Sequence, residues 1–186
     1  MLKRFEVENF KGFKDRLIFD LQSREYAFNK NLVINGIVNK GIIYGKNGIG
    51  KSNLGIAIFD IVLHLTDKER FPEQYTLNYL NLNSEKEFAE FKYVFMFNGY
   101  EVIYEYKKRD AYYLIEESLT IDNVHVLFYN YFDKKNNFVD KKLIGNLKIE
   151  LIDNKLSVIK YIYRNIPTNH ESPLYKMMVF IENMLW

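Results

Sequence analysis

The chain contains no cysteine, only three prolines, a single tryptophan and no long apolar run in its 186 residues. Without cysteine there is no disulfide framework, no thiolate metal site and no cysteine nucleophile. No stretch approaches the ~20 apolar residues a bilayer requires, and no basic-then-apolar leader opens the chain, so a soluble, cytoplasmic protein without a membrane role is expected. A formal net charge of +2 implies no polyanion partner by itself. Scarce proline combined with 15 Tyr and 15 Phe marks an ordered chain rich in strand formers. The length suits one full-sized domain with a real core.

Residues 1 to 21 predict two strands. Phe5 and Val7 alternate with Arg4 and Glu6, and Leu17, Phe19 and Leu21 with Ile18 and Asp20, around a turn at Lys11 to Asp15. Leu32 to Val38, followed by Gly41 to Tyr44, reads as a short buried strand running into glycines. Residues 51 to 66 predict a helix with Leu54, Ile58, Ile61 and Leu65 on one face. Ile56, Phe59 and Leu63 populate another face, so a helix covered on most sides is expected. Residues 67 to 90 are polar, contain the breaker Pro72 and read as an exposed insertion.

From Phe91 the period becomes two, and Asn98-Gly99 separates FKYVFMF from YEVIYEY as a hairpin turn. Further turns after Tyr106 and at Asp122-Asn123 predict an antiparallel meander. Ser172-Pro173 is a cap and first-turn pair for a last helix. Its Met177, Phe180, Ile181, Met184 and Leu185 require a partner surface, and no stop signal precedes Trp186. The expected organisation is a nucleotide-binding core at 1–66, a polar insertion at 67–90, an antiparallel β lobe at 91–150 and a helical tail at 151–186 that reads as cut short.

The stretch IIYGKNGIGKSN carries the chemistry. Gly45-Lys46-Asn47-Gly48-Ile49-Gly50-Lys51-Ser52 fits G-x-x-x-x-G-K-[ST] at every required position. Glycines allow backbone N–H groups to point inward as a nest for phosphate oxygens. The helix beginning near Lys51 aims its unpaired N–H groups and positive dipole end at the same anion. Lys51 is then expected to reach the β- and γ-phosphates and the Ser52 hydroxyl to ligate Mg²⁺. A chance match in a chain this long is rarer than about 1 in 100. Ile49 departs from the small residue usual at its position, and its β-branched side chain is expected to crowd the loop.

With Asn47 and Asn53 included, GKNGIGKSN resembles the extended P-loop of ABC-type ATPase heads of the SMC, RecF and OLD group. The opening FEVENFKGFKD is similar to the strand and turn those heads carry before the P-loop. Residues 1 to 132 also resemble the N-terminal halves of stand-alone bacterial AAA ATPases linked to phage defence and abortive infection. The resemblance implies an α/β fold: the N-terminal half of a P-loop NTPase head with a mixed sheet, an antiparallel β-meander lobe and C-terminal helices. It implies ATP and Mg as cofactors, a nucleotide sandwiched between two heads, and work in DNA transactions or phage defence. The partner is then a second ATPase head, as a homodimer, or the remaining C-terminal half of the head. Hydrolysis in such heads also needs a signature loop, a Walker B strand ending Asp-Glu and a switch histidine, none of which the sequence contains. The chain is accordingly expected to bind nucleotide at Gly45 to Asn53 without hydrolysing it alone.

Other residues favour plainer roles. Asp20 and Asp60 follow hydrophobic runs but lack a succeeding acid, and are expected to be a strand-end and a helix-surface aspartate. His64 reads as a hydrogen-bonded core residue, and His64, His125 and His170 share no metal-ligand spacing. Glu116 and Glu117 should point to opposite faces of a strand. Lys107-Lys108-Arg109 reads as a solvated hairpin tip with nucleic-acid contact as the alternative, and Lys11 and Lys14 as residues of a solvated turn that, in the heads the chain resembles, approaches the nucleotide. Lys134, Lys135, Lys141 and Lys142, with Tyr129 and Phe132 nearby, form the aromatic–basic pattern that single-stranded DNA or RNA favours. Gln74, in the polar insertion, has no assigned role. A complete small P-loop kinase is the main alternative, although some 40 residues precede the loop and arginine is sparse after residue 110. A GTPase lacks its guanine-reading motif. A non-hydrolysing module that binds nucleotide as a structural ligand is the third reading.

Overall fold

The computed structural model describes residues 1–23, 30–68, 75–149, 153–167 and 169–185. The chain is mixed α/β, built on a mostly antiparallel sheet with few helices. Strands β1 (Leu2–Glu8) and β2 (Leu17–Asp20) form the first hairpin, and β3 (Val33–Ile34) and β4 (Ile37–Val38) a second, minimal one. Helix α1 (Lys51–Leu65) follows. The meander is β5 (Ala89–Phe97), β6 (Tyr100–Lys108), β7 (Leu114–Ile121) and β8 (Val124–Asn130), and β9 (Phe138–Val139) lies at its edge. Helices α2 (Lys141–Ile144), α3 (Val158–Asn165) and α4 (Pro173–Glu182) complete the chain.

The large sheet has seven strands in the order β2-β1-β5-β6-β7-β8-β9. Residues of the expected core and of the expected β lobe therefore share one sheet, joined where Phe5 lies opposite Tyr93 and Val7 opposite Phe91. A mixed sheet was expected, yet every strand pair among the described residues is antiparallel. The two tight turns of the meander form as expected: Asn98 (φ 51°), Gly99 (φ 89°), Asp122 (φ 46°) and Asn123 (φ 62°) all adopt the positive φ that a tight hairpin needs.

Period-two alternation gives the sheet two unlike faces. Phe5, Phe91, Tyr93, Phe95, Tyr104 and Tyr106 are buried on one face, beneath α1, α3 and α4. The other face is a lattice of ion pairs, with Arg16 reaching Glu6 (3.4 Å), Glu8 (3.0 Å) and Glu90 (2.7 Å). Helix α4 supplies its own start, because Ser172 Oγ accepts from Tyr175 N at 3.2 Å with Pro173 in the first turn. The partner its apolar side requires is the sheet itself, with Met177 and Ile181 buried and Phe180 set edge-on against Phe95. The helix ends at Asn183, whose Nδ2 donates to Val179 O at 2.7 Å.

Two buried carboxylates anchor the layers. Asp60 was expected on a helix surface, but it is on the buried side of α1, with Oδ1 accepting from Tyr79 Oη (2.9 Å) and Oδ2 from Tyr106 Oη (2.9 Å) and Lys108 Nζ (2.9 Å). Lys108 is likewise no solvated tip residue. It continues the inward row of Tyr104 and Tyr106 along β6 and is fully buried, whereas Lys107 faces outward to Glu116 at 2.7 Å. Burial holds the Lys108 ammonium below the ordinary lysine range, against the pull of Asp60.

Glu117 faces inward and Glu116 outward, as strand geometry predicts. Glu117 accepts from Tyr104 Oη (2.8 Å), Tyr131 Oη (2.6 Å), Ser157 Oγ (2.7 Å) and Val158 N, so it holds the start of α3. The segment expected as an exposed insertion also contributes to the core: Tyr75 and Tyr79 are buried, while Pro72 and Gln74 fall outside the described residues.

Replacing Lys108 by methionine leaves Asp60 charged and unpaired in the interior. The expected loss is about 3–5 kcal/mol in urea unfolding, against less than about 1 kcal/mol for Lys107→Met on the solvated face. His64 supplies a pH dependence. It is buried with Nε2 3.0 Å from Tyr104 Oη, and burial, aided by nearby Lys108, pushes its pKa well below the usual histidine value. The unfolded chain takes up that proton below about pH 6.5 and the folded chain does not. Unfolding therefore binds a proton, and stability should fall with decreasing pH by up to about 1.4 kcal/mol per unit below that value. Urea midpoints measured from pH 7.5 to 5 should show this contribution, and a His64→Gln variant should lack it.

Candidate functional site

The glycine-rich loop folds as a cradle at the start of α1. Gly48 (φ 82°) and Gly50 (φ 102°) occupy backbone conformations that a Cβ resists, and these turn the loop back toward the helix axis. Gly50 is the N-cap of α1, it supplies no side-chain acceptor, and the first helical turn carries no acidic residue. The amides and the positive end of the helix dipole are therefore available to an anion. Asn47, Gly48, Gly50, Lys51, Ser52 and Asn53 line an open cavity of about 280 Å³.

Lys51 curls over the loop, its Nζ donating to Gly45 O and Lys46 O at 2.7 Å each. The ammonium thus lies at the loop, on carbonyl oxygens that a stronger anionic acceptor would displace. Ile49, expected to crowd the loop, packs toward Gly45 and is not among the residues that line the hollow. It is 67% exposed, and its Cγ2 sits 3.3 Å from where a Cβ on Gly45 would lie. A side chain at Gly45 would have to move the exposed Ile49 side chain by a few tenths of an ångström.

The turn after β1 closes one flank. A Cβ on Gly12 would meet Asn53 Nδ2 at 3.0 Å, and one on Gly50 would meet the Phe13 ring at 3.4 Å. Lys11 is not a free turn lysine, since its Nζ donates to Leu77 O at 2.8 Å, whereas Lys14 is exposed. On the other flank the expected buried strand is missing. Val33 to Val38 is a small hairpin turning at Asn35-Gly36, and the residues leading into the cradle form no strand, with Ile42 91% and Tyr44 90% exposed. β-branched residues favour an extended backbone only where a neighbouring strand accepts them, and none of the described residues pairs with this segment.

Among the described residues no carboxylate lines the cradle. Asp60 lies about 13 Å along the helix axis from Lys51 and is committed to Lys108 and two tyrosines. Asp20 ends β2, where its Oδ1 accepts from Gln22 N at 2.9 Å, as expected. Among the described residues no group of three His, Asp or Glu side chains could hold a metal. The histidines are scattered: His125 pairs with Thr120 Oγ1 at 3.0 Å and His170 stacks on Tyr175 at 4.5 Å. No helix among the described residues is long and apolar enough to cross a membrane.

Comparison of the chain with protein-family models and with curated proteins returned no match. The functional reading therefore rests on the cradle's residues and geometry.

The positive φ at Gly50 has a measurable consequence. Gly50→Ala should cost about 1–3 kcal/mol of stability. Gly41→Ala, where nothing lies within 4 Å of the added Cβ, should stay within about 0.5 kcal/mol. Paired urea titrations of the two variants check this.

Proposed function

We propose that the chain binds Mg-ATP through Gly45 to Asn53 as part of an ATPase head of the kind its P-loop resembles, and that it does not complete hydrolysis alone. The observation that supports the reading is the convergence on one open hollow of an unshielded helix N-terminus, loop amides and the Lys51 ammonium. These are the groups that hold a triphosphate by charge and geometry.

On this reading Lys51 leaves the Gly45 and Lys46 carbonyls and pairs with the phosphate oxygens. Gly48, Gly50 and Lys51 offer their amides to the same oxygens. The Ser52 hydroxyl, exposed at the helix start, would hold magnesium, which when bound offsets triphosphate charge. Phe13, close against Gly50, places an aromatic ring beside the hollow.

Turnover would require an acid or base that the described residues do not bring to the cradle. A completing surface is expected, either the remaining part of the head or a second head. The exposed Ile42, Ile43 and Tyr44 ahead of the cradle, and the half-buried Ile56 and Phe59 on α1, are apolar positions such a partner would cover. The work of the assembly in DNA transactions or defence follows from the resemblance.

Isothermal titration with Mg-ATP tests the reading. Uptake should be magnesium-dependent, and Lys51→Ala should weaken it about tenfold to a hundredfold, the worth of a lost charge-assisted contact. Phosphate release from the isolated chain should stay at background. Uptake unaffected by Lys51→Ala contradicts the reading, and phosphorylation of an added nucleoside would favour the small-kinase alternative.

A further inference from the structure

The charges on the outer face of the sheet come in pairs. Arg16 serves three glutamates, Lys92 meets Glu105 at 3.1 Å and Lys107 meets Glu116 at 2.7 Å. One edge breaks this pattern. The eleven residues from Phe132 to Lys142 hold four lysines and two aspartates, a surplus equal to the formal +2 of the whole chain. Lys134, Lys135, Lys141 and Lys142 are exposed, and none has an acidic partner among the described residues. The aspartates do not quench them. Asp133 accepts from Lys135 N at 3.2 Å and Asp140 from Lys142 N at 2.8 Å, so both carboxylates face backbone amides.

Two aromatic rings stand among these cations. Phe132 is 66% and Phe138 49% exposed. Neither is on a loose loop. Asn130 and Asn137 clamp the segment reciprocally: Asn130 N donates to Asn137 Oδ1 at 2.7 Å and Asn137 Nδ2 to Asn130 O at 3.1 Å. Asn130 Oδ1 then fixes Phe132 N at 2.9 Å and Asp133 N at 2.8 Å. Phe138 lies opposite Phe128 at the last strand of the sheet.

We propose that this edge, from Phe132 to Lys142, is a binding surface for single-stranded nucleic acid. Unpaired ammonium groups follow a phosphate backbone, and exposed rings on a backbone already held in place stack on bases with less ordering cost. A duplex hides the faces of its bases, and α2, at four residues, is too short to enter a groove. An anionic membrane surface calls for an amphipathic helix with a continuous apolar side, which a four-residue helix cannot present. The surface is independent of the phosphate cradle.

Fluorescence anisotropy of the full chain with labelled dT20, between 50 and 300 mM KCl, tests the proposal. The logarithm of the binding constant should fall with the logarithm of salt at a slope of about −2 to −3, the value for three or four released counterions. Lys141→Ala with Lys142→Ala should flatten that slope by about 1.4. Phe132→Ala with Phe138→Ala should weaken binding at least about tenfold while leaving the slope unchanged. Absence of dT20 binding would overturn the proposal, as would binding that both double variants retain. Equal affinity for a duplex of the same length, or lysine-dependent binding to phosphatidylserine vesicles in place of dT20, would overturn it as well.

Discussion

The ion pair between Asp60 and Lys108 is the constraint from which the arrangement of the chain follows. Both side chains are withdrawn from water, and two tyrosine hydroxyls occupy the remaining acceptor sites of the carboxylate. An unpaired charge there would cost several kcal/mol, so α1 cannot rotate or slide on the sheet without losing the pair. The same helix carries the glycine cradle at its other end. Its rotation about its axis decides which way the loop amides face, and one buried carboxylate two turns further on sets that rotation. The penalty of burying charge is thereby turned into orientation of the end that carries the glycine loop.

A second buried acid extends the frame. Tyr104 donates to Glu117 and its hydroxyl is paired with His64 Nε2 at 3.0 Å, giving a chain of hydrogen bonds from α1 through β6 to β7. Glu117 also takes Ser157 and Val158 at the start of α3. Helix α3 therefore has its beginning fixed by a strand residue, much as a phosphate would fix it. Both carboxylates are surrounded by tyrosines, which explains why so aromatic a core tolerates charge: each ring brings apolar area and one hydroxyl donor.

Local signals were legible in the sequence where local physics decides. Asn98-Gly99 and Asp122-Asn123 turn where positive φ is needed, α1 spans nearly the residues its apolar spacing predicts, and Ser172-Pro173 starts α4. The glycine motif likewise marked where the loop turns into α1, with positive φ at Gly48 and Gly50. Errors arose where a distant partner decides. Ile42 to Tyr44 have strand-forming side chains but no strand beside them. Lys108 looked like part of a charged tip because three basic residues adjoin, although the period from Tyr104 and Tyr106 already placed it inward. Tyr79 sat in a polar stretch with nothing to show that Asp60 would take its hydroxyl. Asn35-Gly36 carried a hairpin signal that the surrounding aliphatic residues obscured.

The division of labour that emerges is between holding and reacting. The glycine loop offers amides and an ammonium, while among the described residues Asp60 and Glu117 are spent on the interior and Glu6, Glu8 and Glu90 on the ion-paired face. The basic edge beyond β8 lies at the opposite margin of the sheet from β2. The most direct measurement of the central claim is an amide NMR titration of the ¹⁵N-labelled chain with Mg-ATP. The account predicts saturable shifts of the Gly45, Gly48, Gly50 and Lys51 amides, with those of Glu117 and Val158 unmoved. Loop amides that remain stationary while nucleotide shifts other parts of the spectrum would contradict it.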